Sequence, residues 1–191
     1  MLKLGGRAMR VAALAVTVSL VGAAAALAAD EVDVARFLAT GDCPACDLSD
    51  ADLTGFDRHS TGVARVDLRA ADLSGAEIYT IDLTGALLQG ADLSGTLASF
   101  THFDGADLSG ADLSGMDACY DQSFAGASLR GARLNGAKLC ASYWNGADLS
   151  GADLSGADLT YDVGLTQAQL DRACGDAATK LDGSLKVTPC R

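Results

Sequence analysis

The decapeptide ADLSGADLSG, at residues 106–115 and again at 147–156, is the feature of the sequence that decides the fold. Single copies of ADLSG also stand at residues 71–75 and 91–95, and looser versions fill the intervals. A large apolar residue returns every five residues, whereas a strand buries every second residue and a helix follows a period of 3.6. One buried centre in every five residues therefore predicts a chain that turns a corner in each unit.

Each position of the unit has a predicted environment when the Leu is taken as the buried centre. The small residue two places before the centre shares the interior, whereas the Asp before the centre and the Ser or Thr after it face water. The terminal Gly permits the backbone angles that a corner needs and lets successive layers approach closely. A chain that turns this regularly stacks on itself, with layers roughly 4.8 Å apart.

The tandem pattern A(D/N)LxG, with its verbatim ADLSG copies, resembles the pentapeptide repeat family over residues 42–164. The resemblance implies an all-β solenoid, a right-handed four-sided parallel β-helix with four units per turn. Centres run in phase from Cys43 to Ala118 and, after a slip of one residue, from Phe124 to Leu159. This number of units corresponds to about six turns.

Residues 20 apart stack on one face if each turn holds four units. On that register Leu48 heads a leucine column that continues through Leu68 and Leu88. The core ladder predicted on two other faces consists of Leu53, Leu73, Leu93 and Leu113 and of the aromatic centres Phe103, Phe124 and Trp144. The aromatic centres enter where the neighbouring face shrinks to alanine, at Ala98 and Ala118. Such compensation of volume suits a narrow, closely packed core.

Residues 1–28 are predicted to be a signal peptide rather than part of the fold. Basic residues precede an apolar run over 11–21, and the small-x-small sequence at 26–28 supplies a cleavage site. Cleavage near Ala28 predicts a periplasmic or secreted protein without a stable membrane anchor, and retention of the segment as an N-terminal anchor is the alternative. Cleavage also makes the formal net charge of −11 more negative, because the segment holds Lys and Arg but no acid.

A short helix is predicted to cap the N-terminal end of the solenoid. The capping segment, residues 29–41, includes a helix over 30–40 with Val34, Phe37 and Leu38 on its apolar side. The first layer of a solenoid exposes its apolar interior, and an amphipathic helix covers it.

The C-terminal segment, residues 165–191, is predicted to hold a second capping helix and an irregular tail. Thr166 and Gln169 form a capping box, so the helix begins at Thr166, and Gly175 ends it after Cys174. The sequence LTQAQL followed by ACGD resembles the C-terminal helical cap of many bacterial members of the pentapeptide repeat family.

Six cysteines in an exported chain are first of all disulfide candidates. The predicted pairs are Cys119–Cys140, Cys174–Cys190 and Cys43–Cys46. Cys119 and Cys140 each follow a centre, and these centres are four units apart, so the two residues stack within reach of a bond. The CxxC spacing of Cys43 and Cys46 also occurs in redox enzymes and metal sites. A redox or metal-binding protein therefore stays open as an alternative.

An acidic column is predicted on one outer face. It comprises Asp52, Asp72, Asp92 and Asp112. Asp153 continues this column after Arg133. Carboxylates one layer apart repel by about 0.9 kcal/mol in a water-like dielectric, so they need backbone amides, nearby hydroxyls or a cation. Calcium favours clustered carboxylates. Nothing in the sequence resembles a dedicated calcium loop, and a solvated repeat consensus is the interpretation that we adopt.

The least regular stretch of the repeat is 56–65, which contains Arg58 and His59. In strict phase Arg58 would occupy a buried centre, where an unpaired charge is costly. The stretch is predicted to be a surface bulge, with a binding loop as the alternative. His102 is predicted to face solvent beside Asp82.

The sequence favours a non-enzymatic role. It has two histidines, no recognisable nucleophile with its base and no phosphate-binding glycine loop, so neither a catalytic site nor a cofactor is predicted. The acidic charge argues against a nucleic acid partner and suits a cationic one. The leading hypothesis is an exported structural or protein-interaction module whose partner is another protein. The family resemblance supplies the alternative of an acidic DNA mimic that binds a type II topoisomerase, and the signal peptide argues against it.

Overall fold

The computed structural model describes residues 31–40, 43, 44, 46, 48 and 66–191. The predicted signal peptide and the irregular stretch 56–65 lie outside the described residues. The helices and strands of the described part are α1 Glu31–Thr40, β1 Asp158–Leu159, α2 Gln167–Leu170, β2 Cys174–Gly175, β3 Lys180–Leu181 and β4 Thr188–Pro189. Isolated parallel bridges hold much of the remaining described chain.

The isolated parallel bridges connect residues 20 apart, and 21 apart across an inserted residue near Tyr120 and, after the last repeat unit, between Asp153 and Cys174. They form four columns of outward-facing residues, which we number in chain order. Column 1 contains Asp67, Leu87, Asp107, Ser128 and Asp148; column 2 contains Asp72, Asp92, Asp112, Arg133 and Asp153; column 3 contains Glu77, Leu97, Asp117, Lys138 and Asp158; column 4 contains Asp82, His102, Ser123, Tyr143 and Val163. The described repeat is therefore a parallel stack in which the chain returns to the same column after four units.

Most units turn their corner through a glycine-based β-turn. In residues 108–111, the N–H of Ala111 donates to the carbonyl oxygen of Leu108 over 3.0 Å, and Gly110 has a φ of 69°. A positive φ at the third turn position is the requirement of a type II turn, which Gly meets without steric cost. The backbone conformation of the corner thus explains why glycine is the usual last residue of the repeat unit.

The unit centres and the small residues two places before them fill the interior. Leu73, Leu93 and Leu113 of the predicted ladder are buried, whereas Leu53 lies outside the described residues. The residue between each small residue and its centre faces outward and forms the bridges. A single apolar column therefore runs along the axis of the stack, with polar columns around it.

The aromatic centres next to column 4 stack on one another inside the core. The ring centroids of Phe103 and Phe124 are 5.1 Å apart, and those of Phe124 and Trp144 are 4.6 Å apart. Ala98 and Ala118, the centres that precede Phe103 and Phe124, are also fully buried. Large and small centres thus compensate for one another within a layer, as close packing requires.

The first described layer departs from the predicted register. The N–H of Leu48 donates to the carbonyl oxygen of Asp72 over 2.7 Å, just as the N–H of Leu73 donates to that of Asp92. Leu48 therefore lies in line with Leu73. The prediction that Leu48 heads the column of Leu68 is wrong.

The corrected register makes the first layer one unit longer than those that follow. Leu48 and Leu73 are separated by 25 residues, whereas Leu73 and Leu93 are separated by 20.

The one-residue insertion forms a bulge that a glutamine side chain repairs. Tyr120 and Asp121 both have positive φ angles, of 91° and 55°, and the backbone ladder is displaced there. The side chain of the buried Gln122 accepts a hydrogen bond from the N–H of Thr101 over 3.1 Å and donates one to the carbonyl oxygen of Ala98. The repeat therefore passes the insertion without leaving these backbone groups unsatisfied.

Helix α1 packs two side chains into the core. Val34 and Phe37 are buried, whereas Leu38, predicted on the same apolar side, is 45% exposed. The contact is narrower than the sequence predicts because only the face that contains Val34 and Phe37 is covered.

In the part of the chain that the structure describes, no helix has the length and apolar character needed to cross a membrane.

The C-terminal helix is shorter than predicted. The capping box of Thr166 and Gln169 is present, but α2 ends at Leu170 rather than at Cys174. Cys174 is extended instead, because its N–H donates to the carbonyl oxygen of Ala152 over 2.9 Å, and it forms β2 with the following residue. Backbone pairing with the repeat thus overrides helix propagation.

The C-terminal tail continues the stack rather than forming an irregular segment. Strand β3 pairs in parallel with β1, so that Lys180 lies opposite Asp158, and β4 pairs in parallel with β2. The side chain of Leu170 is fully buried against the core. Residues beyond the last repeat unit therefore extend columns 2 and 3.

Candidate functional site

The described aspartates of the predicted acidic column form hydrogen bonds to the backbone of the corners. Asp52 lies outside the described residues, and the remaining three occupy column 2. Each accepts a hydrogen bond from the backbone N–H two residues later, in the pairs Asp72 with Ser74, Asp92 with Ser94 and Asp112 with Ser114, at 2.8–2.9 Å. This side-chain turn gives the Asp of the repeat unit a structural role.

A cation interrupts the acidic column at Arg133. Its guanidinium lies 3.1 Å from the carboxylate of Asp112, one layer away. Hydrogen bonds from Ser155 and Asn135 hold the pKa of Asp153, the next acidic residue of the column, below its ordinary value. The column is therefore compensated by backbone amides, hydroxyls and one basic residue.

Ion pairs between layers compensate other carboxylates in the same way. The pairs are Arg130 with Asp148 at 3.0 Å, Lys138 with Asp117 at 2.7 Å and Lys180 with Asp158 at 2.8 Å. The basic side chains are more than half exposed, and exposed pairs contribute roughly 0–1 kcal/mol each. The Ser150 hydroxyl and the Arg130 guanidinium lower the pKa of Asp148 to about 2.

The groups with metal-binding geometry in the described residues are already committed to disulfides. Asp33 lies with Cys43 and Cys46, and Asp153 lies with Cys174 and Cys190, with the candidate ligand atoms of each group within 4.8 Å. All four sulfurs are in disulfide bonds. A bonded sulfur offers no thiolate, so neither group supplies the soft ligands that its residue types suggest.

The structure joins all six cysteines in disulfide bonds. The pairs are Cys43–Cys46, Cys119–Cys140 and Cys174–Cys190, with Cα–Cα distances of 5.4, 4.6 and 4.8 Å. Cys43 and Cys46 are 0% and 3% exposed, and the sulfur of Cys43 lies against α1, 3.5 Å from the carbonyl oxygen of Asp33. The CxxC motif is thus bonded and buried beneath the helix.

One of the two histidines, His102, lies in the described chain. His102 is half exposed in column 4, where its bridge partner is Asp82, and its Nδ1 lies 3.8 Å from a carboxylate oxygen of Asp104. Arg58 and His59 lie outside the described residues.

One carboxylate is partly buried and does not belong to the outward columns. Asp162 occupies the position two places before a centre, next to the corresponding position of Ser142. It accepts a hydrogen bond from the N–H of Ser142 over 2.9 Å. Burial raises the pKa of Asp162 to about 7, although the hydrogen bond opposes this shift.

One corner of the stack carries side chains where the others carry glycine. The units of column 3 end in Thr80, Phe100, Tyr120, Ala141 and Tyr161, and all five residues have φ between 57° and 91°. The units of column 2 end in glycine, and so do those of column 4 before Val163 and those of column 1 after Ala70. Residues other than Gly, Asn and Asp rarely adopt this conformation.

Exposed apolar side chains cluster at the same corner. Phe100, Tyr120 and Tyr161 are 50%, 68% and 78% exposed, and Tyr143 and Val163 of the adjoining column 4 are also exposed. We call these five residues the aromatic corner. Sequence reasoning missed it because the search followed the buried centres. The available signal was the lack of Gly at the last position of every fourth unit.

Comparisons with known proteins agree on one kind of repeat. The family model described as "Pentapeptide repeats" matches in eight copies, over residues 64–95, 81–115 and 132–161. No curated protein sequence matches the chain.

Three solved structures illustrate the similarity. Trypsin-treated QnrB1, a plasmid-mediated fluoroquinolone resistance protein, is 26% identical over 65% of this chain and 66% of its own, with a TM-score of 0.48. A pentapeptide repeat protein from the cyanobacterium Cyanothece 51142 is 24% identical over 79% and 98%, with a TM-score of 0.44. The pentapeptide repeat protein alr5209 from Nostoc PCC 7120 is 32% identical over 58% and 84%, with a TM-score of 0.31. The chain spans just under two thirds of the QnrB1 chain that it matches.

Proposed function

The chain belongs to the pentapeptide repeat family, and from that premise we propose that it is an exported, non-enzymatic solenoid that acts as a structural or protein-interaction module. The observation that carries the proposal is the fixed spacing of the outward columns, in which backbone bridges hold side chains such as Asp72 and Asp92 in line. A rigid array of this kind presents a surface without reorganisation on binding.

The finer architecture belongs to the same proposal. We infer a right-handed, four-sided β-helix of about six turns over residues 42–164, with caps formed by residues 29–41 and 165–191. The 20-residue register of the four columns supports the four-sided shape. The burial of Phe37 of α1 and Leu170 of α2 in the core supports a capping role for both helices.

Export is supported by the cysteine chemistry as well as by the sequence of residues 1–28. Three disulfides are typical of an oxidising compartment, because cytosolic reductants keep most thiols reduced. We therefore propose a periplasmic or secreted location, with no cofactor and with another protein as the partner. The net charge of −11 disfavours a nucleic acid backbone.

Cross-linking in the native compartment tests the interaction role. The full-length chain would carry a photoreactive group on the acidic column, at Asp92, or on the opposite face, at His102. We expect a reproducible cross-linked protein from at least one position, with a cleaved N-terminus on the mature chain. Recovery of an uncleaved chain from the cytoplasm, or no specific cross-link from either face, would contradict the proposal.

A second candidate, an acidic DNA mimic that binds a type II topoisomerase, is favoured by the net charge and by column 2. Ion pairs to Asp112, Asp117, Asp148 and Asp158 reduce the charge that the columns present. Inhibition of supercoiling by the purified protein, measured against an Asp72→Asn/Asp92→Asn variant, would support this candidate.

The third candidate is a redox or metal-binding role for Cys43 and Cys46, and the state of the two side chains argues against it. Both side chains are buried and bonded, so a thiol reagent or metal ion has no exposed sulfur to reach. Thiol counting on the native protein before and after mild reduction tests this role. Rapid selective opening of this pair would favour redox chemistry.

A further inference from the structure

A row of polar side chains runs along the inner side of column 4. Each member stands two places before a unit centre, where most other described units have alanine. In chain order the row consists of Ile81, Thr101, Gln122, Ser142 and Asp162. Thr101, Gln122 and Ser142 are fully buried. Polar groups in such a place need hydrogen-bond partners, because burial without a partner is costly.

The first two polar members of the row are satisfied by the protein itself. The hydroxyl of Thr101 donates to the carbonyl oxygen of Ile78, and the side-chain oxygen of Gln122 accepts from the N–H of Thr101 over 3.1 Å. The side-chain amide of Gln122 donates to the carbonyl oxygen of Ala98. Every polar side-chain atom of Thr101 and Gln122 therefore has a partner.

The last two members of the row share one bond and leave two polar atoms over. The N–H of Ser142 donates to Oδ1 of Asp162 over 2.9 Å, just as the N–H of Thr101 donates to Gln122. The hydroxyl of Ser142 and Oδ2 of Asp162 are shielded from solvent, and neither has a hydrogen-bond partner among the described residues. An ionised carboxylate cannot donate, so it cannot repeat the bond that the Gln122 amide makes.

A third polar atom without a partner belongs to the neighbouring centre. Trp144 is fully buried, and its indole Nε1 has no hydrogen-bond partner in the described part of the chain. Burial raises the pKa of Asp162, and the indole N–H of Trp144 opposes this shift, so the indole lies close to the carboxyl group. Ser142 Oγ, Trp144 Nε1 and Asp162 Oδ2 thus lie together inside the stack.

The chemistry of these three atoms selects a neutral ligand that both donates and accepts hydrogen bonds. The indole N–H can only donate, which a cation does not satisfy, and the carboxylate oxygen accepts, which an anion does not satisfy. Because Ser142 and Trp144 have no exposed surface, the ligand must also be small. A water molecule that bonds to all three atoms makes the three hydrogen bonds that are typical of a buried water.

We propose that Ser142, Trp144 and Asp162 bind one ordered internal water molecule where the repeat meets the C-terminal cap. The side-chain amide of Gln169 of α2 donates to the carbonyl oxygens of Trp144 and Ala147 over 2.8 and 3.0 Å, so the helix packs against the same layer. The water links the layer of Trp144 to the last layer of the repeat. It fits both protonation states of Asp162, because water donates to a carboxylate and accepts from a neutral carboxyl group.

The sign of one change in stability tests the proposal. Ser142→Ala introduces the residue that most units have at this position, so the variant is expected to fold. With the water bound, the variant loses one of three hydrogen bonds, and we expect its denaturant midpoint to fall. Removal of a buried hydroxyl that has no partner would instead leave the midpoint unchanged or raise it. Ser114→Ala is the matched control, because it removes a hydroxyl that has no hydrogen-bond partner among the described residues and is not near Trp144 in the row.

A crystal structure of the full, oxidised chain tests the site directly. We expect one water within about 2.5–3.2 Å of Ser142 Oγ, Trp144 Nε1 and Asp162 Oδ2. The variant Ser142→Ala/Asp162→Ala removes two of the three partners, and we expect no ordered water there.

Three results would overturn the inference. The first is a direct hydrogen bond between the indole N–H and Oδ2 with no water between them. The second is an ordered water that persists at the same place in the double variant. The third is a denaturant midpoint of Ser142→Ala that equals or exceeds that of the unchanged protein.

Discussion

Cys119 and Cys140 lie one layer apart on the same side of the stack, with Cα atoms 4.6 Å apart and their sulfurs joined. The bond crosses the bulge at Tyr120 and Asp121, where the register shifts by one residue. It therefore joins the two layers beside the change of register.

Loss of this bond is expected to destabilise the whole stack. Closing a loop of 21 residues stabilises the folded chain by about 3 kcal/mol in the chain-entropy model. Cys119→Ser/Cys140→Ser should lower the free energy of unfolding by about that amount in chemical denaturation. Cys174→Ser/Cys190→Ser is the matched comparison, and its effect should appear first as increased hydrogen exchange in the tail. The expectation would be contradicted if the Cys119→Ser/Cys140→Ser variant had the same free energy of unfolding as the unchanged, disulfide-bonded protein.

Truncation of one interior leucine should be costly. Leu93 is fully buried between Leu73 and Leu113, and no side chain from another layer can replace it in a narrow core. Leu93→Ala is expected to lower the free energy of unfolding by about 2–5 kcal/mol. Leu38→Ala, at a half-exposed position on α1, should change it by less than about 0.5 kcal/mol. Similar losses for the two variants would show that Leu93 is not part of a shared core.

The corners offer a reciprocal test of backbone strain. Ala141 has a φ of 57°, which costs an L-residue roughly 1–2 kcal/mol, while the greater freedom of Gly in the unfolded chain offsets about 0.4–1 kcal/mol. Ala141→Gly is therefore expected to raise the free energy of unfolding by up to about 1 kcal/mol. Gly110→Ala should lower it similarly, because a Cβ at Gly110 would meet no atom within 4 Å and only the backbone angle matters. Changes of the same sign would contradict the explanation.

Asp162 should make stability depend on pH. Burial raises its pKa to about 7 from 3.8, so the folded chain retains a proton that the unfolded chain releases between these values. The free energy of unfolding therefore falls as the pH rises from about 4 to about 7, by at most about 4 kcal/mol. Asp162→Asn is expected to flatten this slope.

A matched variant separates Asp162 from the outward carboxylates. The pKa of Asp148 is lowered to about 2, so its contribution to stability is present above 3.8 and is lost only as the pH falls through about 2. Asp148→Asn should therefore leave the slope between pH 4 and pH 7 unchanged. A slope that survives in Asp162→Asn would assign the dependence to another group.

The sequence predicts the stacking of the repeat well because a five-residue period leaves few geometric solutions. Leu73 and Leu93, and Cys119 and Cys140, are brought together by counting four units along the chain. The position of Leu48 could not be predicted in the same way. The five-residue pattern before Leu68 is compatible with an aligned partner either 20 or 25 residues later. Only the backbone partner of Leu48 distinguishes the two possibilities.

The ends and the surface were harder to predict for physical reasons. Local capping signals start α2 correctly, but the sequence around Cys174 does not show that pairing with Ala152 ends the helix early. The aromatic corner was not predicted because the pattern was searched for its buried centres, although the missing Gly in every fourth unit was visible in the sequence. The positive φ of Phe100 and Tyr120 becomes apparent only in three dimensions.

The aspartate that bonds to the backbone of its own corner makes each unit self-contained. Asp112 accepts a hydrogen bond from the N–H of Ser114, and the N–H of Met116 donates to the carbonyl oxygen of Leu113, so the bonds that close this turn lie within one unit and the first residue of the next. Duplication or deletion of a whole block of four units therefore leaves the neighbouring turns intact. Changes of 20 residues preserve the columns, whereas the single inserted residue near Tyr120 displaces them, and the Gln122 side chain then bonds the backbone groups of Thr101 and Ala98.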